Sequence, residues 1–186
     1  MADSAVRVDL QDGVTLITLD DPKTRNALSP AMAQELYALL DAFEANPDER
    51  VLVLTGADPS FCSGANVRKF DETLAALKES RGESTLPWGA MEARLANRDA
   101  DQGEAGFGSV SDVPLRVYEV QKPTIAAVNG YAIGVGLGLA LSCDIRIAAD
   151  DAQFAEAFVR MGLVPGDGST WQLPRMIGMS NTLLLQ

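Results

Sequence analysis

The apolar positions in the first fifty residues change from a strand period to a helix period. Alternating apolar residues flank Asp12-Gly13, which predicts a β-hairpin closed by a tight turn. Ser29 and Pro30 then precede apolar residues at every third or fourth position, so we expect an amphipathic helix that ends near Asn46. Three later apolar runs predict strands, and they read "RVLVLTG", "KPTIAAVNG" and "DIRIAA".

The rest of the chain alternates helical and extended patterns, except in residues 79–112. That stretch is polar and glycine-rich, and it predicts a mobile surface segment within a single domain over 1–186. We expect a helix over 70–78 before it and another in "PLRVYEVQ" after it. The alternation favours an α/β fold with a largely parallel sheet, in which ligands bind at the carboxyl ends of strands.

Composition and charge narrow the possible partners. The net charge of −11 and the pI of about 4.4 argue against nucleic acid or an anionic membrane as the main partner. No apolar run has the length of a membrane span, and the two cysteines have neither metal-binding nor redox spacing, so we expect a cytoplasmic protein without a metal site. Histidine is absent, which excludes His-based triads and leaves proton transfer to carboxylates, tyrosines and lysines.

The stretch "NGYAIGVGLGLALSCD" places several glycines directly before an apolar segment. A dinucleotide fingerprint would need glycine at position 139, where Leu139 stands, and a phosphate loop would need a Gly-Lys pair that the chain lacks. Two interpretations remain open. The glycines form a strand-to-helix turn whose first amides face a ligand, or Gly134 and Gly138 allow close helix packing.

A second glycine turn, "SFCSGANVRKFD", follows another predicted strand. Together with "PKTRNALSP", "VLVLTGADPSFCSGANV", "KPTIAAVNGYAIGVGLGLALSCDIRIAADDAQFAEAFVRMGLVPGDGS" and "LPRMIG", it makes the chain resemble the crotonase superfamily, the enoyl-CoA hydratase/isomerase family, over nearly its whole length. The resemblance implies a crotonase-like α/β fold of stacked strand–helix turns. It also implies further C-terminal helices, absent from this chain, and assembly into trimers or dimers of trimers.

The resemblance further implies an acyl-CoA substrate, with coenzyme A as part of the substrate and no separate cofactor. The backbone amides of Ala65 and Val135 are then expected to form an oxyanion hole for the thioester carbonyl and the enolate derived from it. Residues expected to contact CoA or the substrate are Lys23, Arg25, Ala27, Gly64, Asn66, Val67, Arg68, Gly134 and Gly136. For Lys23 and Arg25 the alternative is a solvated surface charge.

The chain departs from the hydratase pattern at the two glutamates that handle water and protons. By alignment these positions hold Gly138 and Phe158. Isomerisation, hydrolysis and C–C cleavage therefore remain open, as does a catalytically silent protein that binds a CoA ligand or a partner. Two carboxylates lie nearby. Glu156 is two residues from the second position and would point the same way as Phe158 in an extended segment, but a surface glutamate is the favoured interpretation. Asp167 is predicted to act as the catalytic acid or base, with a helix cap or turn residue as the alternative.

Overall fold

The structure is a computed structural model that describes residues 5–66 and 107–186. The strands are β1 (Val6–Gln11), β2 (Val14–Leu19), β3 (Val51–Gly56), β4 (Ser60–Cys62), β5 (Thr124–Val128), β6 (Tyr131–Ile133), β7 (Ile145–Ala148) and β8 (Gln153–Ala155). The α-helices within the described ranges are α1 (Pro30–Ala45), α2 (Phe107–Tyr118), α3 (Val135–Ser142) and α4 (Ser169–Leu184). Short 3₁₀ turns cover Pro22–Thr24 and Val159–Met161.

The strands form two sheets. The larger has the order β1-β2-β3-β5-β7, and every pair in it is parallel except the β1–β2 hairpin. The smaller has the order β4-β6-β8 and is parallel throughout. At the hairpin turn Asp12 has φ 52° and Gly13 has φ 80°, the left-handed pair that a tight two-residue turn requires. The predicted α/β class, the mainly parallel sheet and the hairpin are confirmed.

Helix α1 follows the local signals in its sequence. Ser29 Oγ accepts a hydrogen bond of 3.1 Å from the backbone N–H of Met32, and Pro30 occupies the first turn. The helix buries Leu36, Leu40 and Phe43 along one face, as the apolar spacing predicts. The backbone leaves the helix after Ala45, one residue before Asn46, so both predicted ends are confirmed to within a residue.

Helix α2 begins earlier than the sequence suggests. The prediction covered "PLRVYEVQ", whereas the helix starts at Phe107 and has Pro114 in its interior. A stripe of Val110, Val113 and Val117 is buried in the main core, and this tertiary packing holds the helix through the proline. Residues 107–112, expected to be surface loop, are therefore helical. The remainder of the predicted mobile segment, 79–106, and the helix predicted over 70–78 lie outside the described residues.

Helix α3 fills the space behind the smaller sheet. All of its eight residues, Val135–Ser142, are buried, and it contacts α2, α4, β4 and β6. A helix that is apolar on every side is stable only when it is enclosed on every side, which explains why "VGLGLALS" has no polar face. No helix within the described residues is both long and apolar enough to cross a membrane.

Candidate functional site

The two glycine turns of the sequence lie side by side. Strands β4 and β6 are parallel neighbours, with Cys62 paired to Ala132, so their carboxyl ends point the same way. The chain continues from β4 into Ser63-Gly64-Ala65 and from β6 into Gly134-Val135. Gly64 has φ +106°, and a Cβ built on it would lie 3.0 Å from the carbonyl oxygen of Ile133. The turns are therefore in contact.

The amide of Ala65 is oriented by a short parallel bridge to Leu28. Leu28 N–H donates to the Gly64 carbonyl and Asn66 N–H donates to the Leu28 carbonyl, both at 2.8 Å. Because hydrogen-bonding groups alternate in direction along an extended chain, the N–H of Ala65 points away from Leu28, toward the side on which β6 lies. It has no protein acceptor within the described residues.

The amide of Val135 is the first of helix α3. Such an N–H precedes the first intrahelical hydrogen bond and lies at the positive end of the helix dipole. In the described part of the chain it donates to no protein group. The structure thus places two available N–H groups on the ends of adjacent parallel strands.

Gly134 and Gly136 need glycine for different reasons. Gly134 precedes α3 with φ 53° and ψ −122°, a conformation that residues with a side chain avoid, and its N–H donates to Ala155 O at 2.8 Å. A Cβ on Gly136 would lie only 2.2 Å from the carbonyl oxygen of Cys62. The glycine stretch therefore forms a strand-to-helix turn at Gly134. The predicted helix packing at Gly134 and Gly138 is not what the structure has, because Gly138 faces the Asp167 side chain, and the close backbone approach is that of Gly136 to strand β4.

Several predicted CoA contacts come together. A cavity of about 280 Å³ is lined by Lys23, Thr24, Arg25, Ala27, Ser63, Ala65 and Asn66. Gly64 lies in the same turn as Ala65, whereas the predicted contacts Val67 and Arg68 lie outside the described residues.

Asn26, which the sequence analysis missed, holds the wall of this cavity in place. Its buried side chain donates to the carbonyls of Ala57 (2.7 Å) and Ser60 (2.6 Å) and accepts from the N–H of Asp21 (2.9 Å). Asn26 also has φ 57°, a left-handed conformation that asparagine tolerates better than most residues. Its position directly after Lys23 and Arg25, in the polar connection before α1, was the available signal.

Asp167 lies against helix α3 at Gly138. It is 3% exposed, and its Oδ1 accepts hydrogen bonds from the N–H of Ser169 (3.2 Å) and from the Ser169 hydroxyl (2.6 Å). Its Oδ2 has no hydrogen-bond partner among the described residues, and a Cβ built on Gly138 would lie 2.5 Å from that oxygen. The carboxyl group therefore occupies the space that a side chain at position 138 would need.

Asp167 also borders a second cavity, of about 330 Å³, between α2 and the start of α4. Its lining residues are Ser111, Asp112, Leu115, Tyr118, Gly166, Asp167, Gly168, Trp171 and Gln172. The bond from Ser169, the first residue of α4, shows that Asp167 makes a cap-like contact as well. Asp167 thus borders a cavity and also makes a cap-like contact.

The expectation that Glu156 is a surface residue is wrong. Glu156 is only 1% exposed, and its Oε2 forms a hydrogen bond of 2.9 Å with Ser169 Oγ. The segment after β8 is covered by α4, whose following residue Leu185 accepts a bond of 2.8 Å from Glu156 N–H. Burial, with the neighbouring charge of Asp167, raises the pKa of Glu156 to about 7, and burial also raises the pKa of Asp167.

Phe158 and the two cysteines, Cys62 and Cys143, are buried in the protein interior. Phe158 is buried in the main core, with its ring 3.7 Å from the Cβ position of Gly134. Burial raises the pKa of Cys62 to about 11 and that of Cys143 to about 12, so both thiols stay protonated and unreactive at neutral pH. No group of three or more His, Cys, Asp or Glu residues suited to a metal ion occurs in residues 5–66 and 107–186.

Comparison with known proteins gives consistent results. A family model described as enoyl-CoA hydratase/isomerase matches residues 14–184. A probable enoyl-CoA hydratase from Mycobacterium tuberculosis is 40% identical over 173 residues, which are 93% of this chain and 58% of that protein. A crotonyl-CoA hydratase from Syntrophomonas wolfei is 33% identical over 180 residues, 96% of this chain and 59% of the relative.

The fold agrees with the sequence comparison. The crystal structure of a probable enoyl-CoA hydratase/isomerase from Mycobacterium abscessus superimposes with a TM-score of 0.74 at 34% identity, covering 97% of this chain and 59% of that one. The crotonase-like fold expected from the sequence is therefore confirmed. The chain spans about three fifths of the length of these relatives. It belongs to the enoyl-CoA hydratase/isomerase family.

Proposed function

We propose that this protein acts on an acyl-CoA thioester and stabilises an enolate with the amides of Ala65 and Val135. The contact between the two turns and the two available N–H groups support this assignment. The helix dipole of α3 adds positive potential at the same point. A single oxyanion-hole donor is worth ~3 kcal/mol of activation free energy, so two donors suit an enolate well.

Asp167 is the proposed acid or base, and its position against Gly138 carries the proposal. The resemblance assigns position 138 to the first hydratase glutamate, and the Asp167 carboxyl fills the space beside it from another segment. The unpartnered Oδ2 is available to remove a proton from the carbon next to the thioester carbonyl. The raised pKa of Asp167, caused by burial, makes the carboxyl a stronger base than an exposed aspartate.

One cavity would bind the CoA part of the substrate and the other would bind its acyl group. Lys23 and Arg25 border the cavity that also contains Ala65, where they would attract the phosphates of CoA. Leu115, Tyr118 and Trp171 line the cavity beside Asp167 and offer apolar and aromatic surface for an acyl group. In this proposal the thioester would lie between the cavities, at the strand ends.

A silent ligand-binding protein is the second candidate. The absence of carboxylates at Gly138 and Phe158 favours it, because the resemblance puts the hydratase glutamates at these positions. The arrangement of Asp167 favours an enzyme, since a buried carboxylate oxygen without a partner is costly unless it has a function. The two candidates differ in whether a bound thioester exchanges protons.

The deciding experiment measures exchange of the α-hydrogens of butyryl-CoA in heavy water by mass spectrometry. Asp167→Asn should lower the exchange rate ~100-fold while acyl-CoA binding changes little, because the amide keeps the shape but cannot take up the proton. The exposed Asp150→Asn is the matched control and should behave as wild type. Full exchange in Asp167→Asn would show that Asp167 is only a cap, and no exchange in wild type would favour the silent protein.

Binding can be followed separately with acetoacetyl-CoA. An oxyanion hole favours the enolate of this ligand, whose ultraviolet absorbance should rise on binding to wild type and to Asp167→Asn alike. If acetoacetyl-CoA binds but the ultraviolet absorbance of its enolate does not rise, the assignment of Ala65 and Val135 would be contradicted.

We also propose that the full-length protein works in the cytoplasm as a trimer or dimer of trimers. Two buried, unpaired cysteines suit a reducing compartment. Exposed apolar residues on β7 and α4, among them Ile147, Met179 and Leu184, suit burial against further chain or a neighbouring subunit.

A further inference from the structure

Three oxygen atoms from separate residues form a buried cluster behind the cavity wall. Ser169 Oγ lies 2.6 Å from Asp167 Oδ1 and 2.9 Å from Glu156 Oε2. Glu156, Asp167 and Ser169 are 1%, 3% and 0% exposed, so little water reaches the cluster. Each carboxyl has a second oxygen, Glu156 Oε1 and Asp167 Oδ2, without a protein partner in the described part of the chain.

The number of hydrogen atoms limits how this cluster can be protonated. A serine hydroxyl has one hydrogen to donate, yet Ser169 Oγ lies within hydrogen-bond distance of two carboxyl oxygens. If both carboxyls were ionised, one would face a lone pair of the hydroxyl with no hydrogen between them. A proton on one carboxyl removes this conflict, because that carboxyl then donates to Oγ while the hydroxyl donates to the other.

The surroundings decide which carboxyl carries the proton. Asp167 Oδ1 receives the Ser169 N–H in addition to the hydroxyl, whereas Glu156 has only the hydroxyl, so the negative charge is better placed on Asp167. Helix α3 brings no titratable side chain to the cluster, and α2 brings Asp112 and Tyr118 to the cavity beside Asp167. Among residues 5–66 and 107–186, no basic side chain borders that cavity to neutralise a second negative charge.

We propose that Glu156 and Asp167 share one proton through the Ser169 hydroxyl, and that Glu156 is the positioning residue that sets the protonation state of Asp167. In one state Glu156 Oε2–H donates to Ser169 Oγ, and Ser169 Oγ–H donates to the Asp167 carboxylate. When the Glu156 O–H bond breaks, a new Oγ–H bond forms, the old Oγ–H bond breaks and an Asp167 Oδ1–H bond forms. The negative charge moves to Glu156, and no outside reactant is required.

This arrangement gives Asp167 access to both roles that proton transfer needs. In the first state Asp167 is a base, and in the second it is an acid that can return a proton to the substrate. The catalytic part of this inference rests on the proposed function, whereas the shared proton does not require any substrate. The two can therefore be tested apart.

The substrate-free test is infrared spectroscopy of the purified full-length protein. Below about pH 6 the wild type should show the carbonyl stretch of one protonated buried carboxyl, and this band should disappear above about pH 8, because the shared proton is lost near pH 7. Glu156→Gln should abolish the band, and Asp150→Asn should keep it. A wild type without the band, or a band that persists in Glu156→Gln, would overturn the shared proton.

A second pair of variants tests the link without changing either carboxyl. Ser169→Thr keeps a hydroxyl and should keep the titration of the band near that of wild type, whereas Ser169→Ala removes the connection and should shift the midpoint by a pH unit or more. Equal midpoints in the two variants would overturn the role of the hydroxyl. Thermal melting of each variant identifies any variant that fails to fold. If Glu156→Gln fails to fold, the comparison of Ser169→Thr with Ser169→Ala replaces it.

The pH profile of kcat in the butyryl-CoA exchange assay tests the consequence for Asp167. Wild type should show a change centred near pH 7 that Glu156→Gln lacks, with KM nearly unchanged, because the neutral amide cannot titrate. A purely structural role would lower activity evenly across pH and would overturn the positioning role. If the infrared band is present but wild type exchanges no protons, the shared proton stands and the proposed function fails.

Discussion

At the scale of single residues, the contact between Gly138 and Asp167 is the feature on which the proposed function depends most. Gly138→Ala would place a Cβ 2.5 Å from Asp167 Oδ2 and 2.9 Å from its Cγ, so the carboxyl must turn away. That movement strains the 2.6 Å contact with Ser169. We expect the butyryl-CoA exchange rate to fall at least ~10-fold, while acyl-CoA binding changes little.

Gly166→Ala is the control for that substitution. Gly166 lines the same cavity, yet a Cβ added there would meet no atom of the described residues within 4 Å, so exchange should stay near wild type. Equal losses in the two variants would mean that the cavity responds to any added methyl group. Normal exchange in Gly138→Ala would separate the Asp167 contact from catalysis.

Sequence reasoning selected Asp167 as the candidate but assigned Glu156 to the surface, for a physical reason. Asp167 could be selected because the chain has no histidine and the two hydratase positions hold Gly138 and Phe158. The burial of Glu156 depends on Ser169 and Leu185, which are distant along the chain and reach it only through the placement of α4. No local pattern distinguishes such a glutamate from an exposed one.

At the scale of elements, Lys122, which precedes strand β5, donates hydrogen bonds to carbonyls at the C-terminal end of helix α1. Lys122 Nζ donates to the carbonyls of Phe43 (2.6 Å), Asn46 (2.6 Å) and Glu49 (2.8 Å). These include carbonyls at the end of the helix that lack intrahelical donors, and the positive charge suits the negative end of the helix dipole. The same lysine therefore joins α1 to the start of β5.

Lys122→Met should therefore destabilise the protein by ~1–3 kcal/mol, measured as the free energy of unfolding in urea, because charged donors to partly buried carbonyls are lost. Arg7→Met is the matched control. Arg7 is an exposed cation paired with Asp20, and its loss should cost less than ~1 kcal/mol. A Lys122→Met variant as stable as Arg7→Met would show that water replaces the ammonium group at these carbonyls.

Elements with strong local signals were predictable and those fixed by packing were not. The turn at Asp12-Gly13 and the cap at Ser29 are decided by residues next to one another, so the hairpin and α1 follow from the sequence. The start of α2 at Phe107 depends on burial of Val110 against the core. The close approach of Gly136 to Cys62 likewise requires β4 and α3 to be adjacent, which the glycine spacing alone leaves undecided.

At the scale of the whole molecule, the net charge of the protein and the charge of its proposed ligand are both negative. The chain has a net charge of −11, and the phosphates of the proposed CoA substrate are also negative. The global field therefore opposes binding, and local cations must offset it. Lys23 and Arg25 are exposed and border the cavity beside Ala65, which places them where an anionic group would be received.

We expect Lys23→Gln and Arg25→Gln each to weaken binding of butyryl-CoA by about tenfold, and the dependence of binding on salt to become shallower. Arg7→Gln is the matched control, since Arg7 lies on edge strand β1 and is not among the residues that line the cavity, so removing its charge should leave affinity nearly unchanged. The decisive comparison uses butyryl N-acetylcysteamine, a thioester without the nucleotide phosphates, whose binding should be unaffected by either substitution. If the protein loses affinity equally for both thioesters, Lys23 and Arg25 stabilise the loop around Asn26 and do not bind the phosphates. If neither loses affinity, Lys23 and Arg25 are solvated surface charges, and CoA enters by another route.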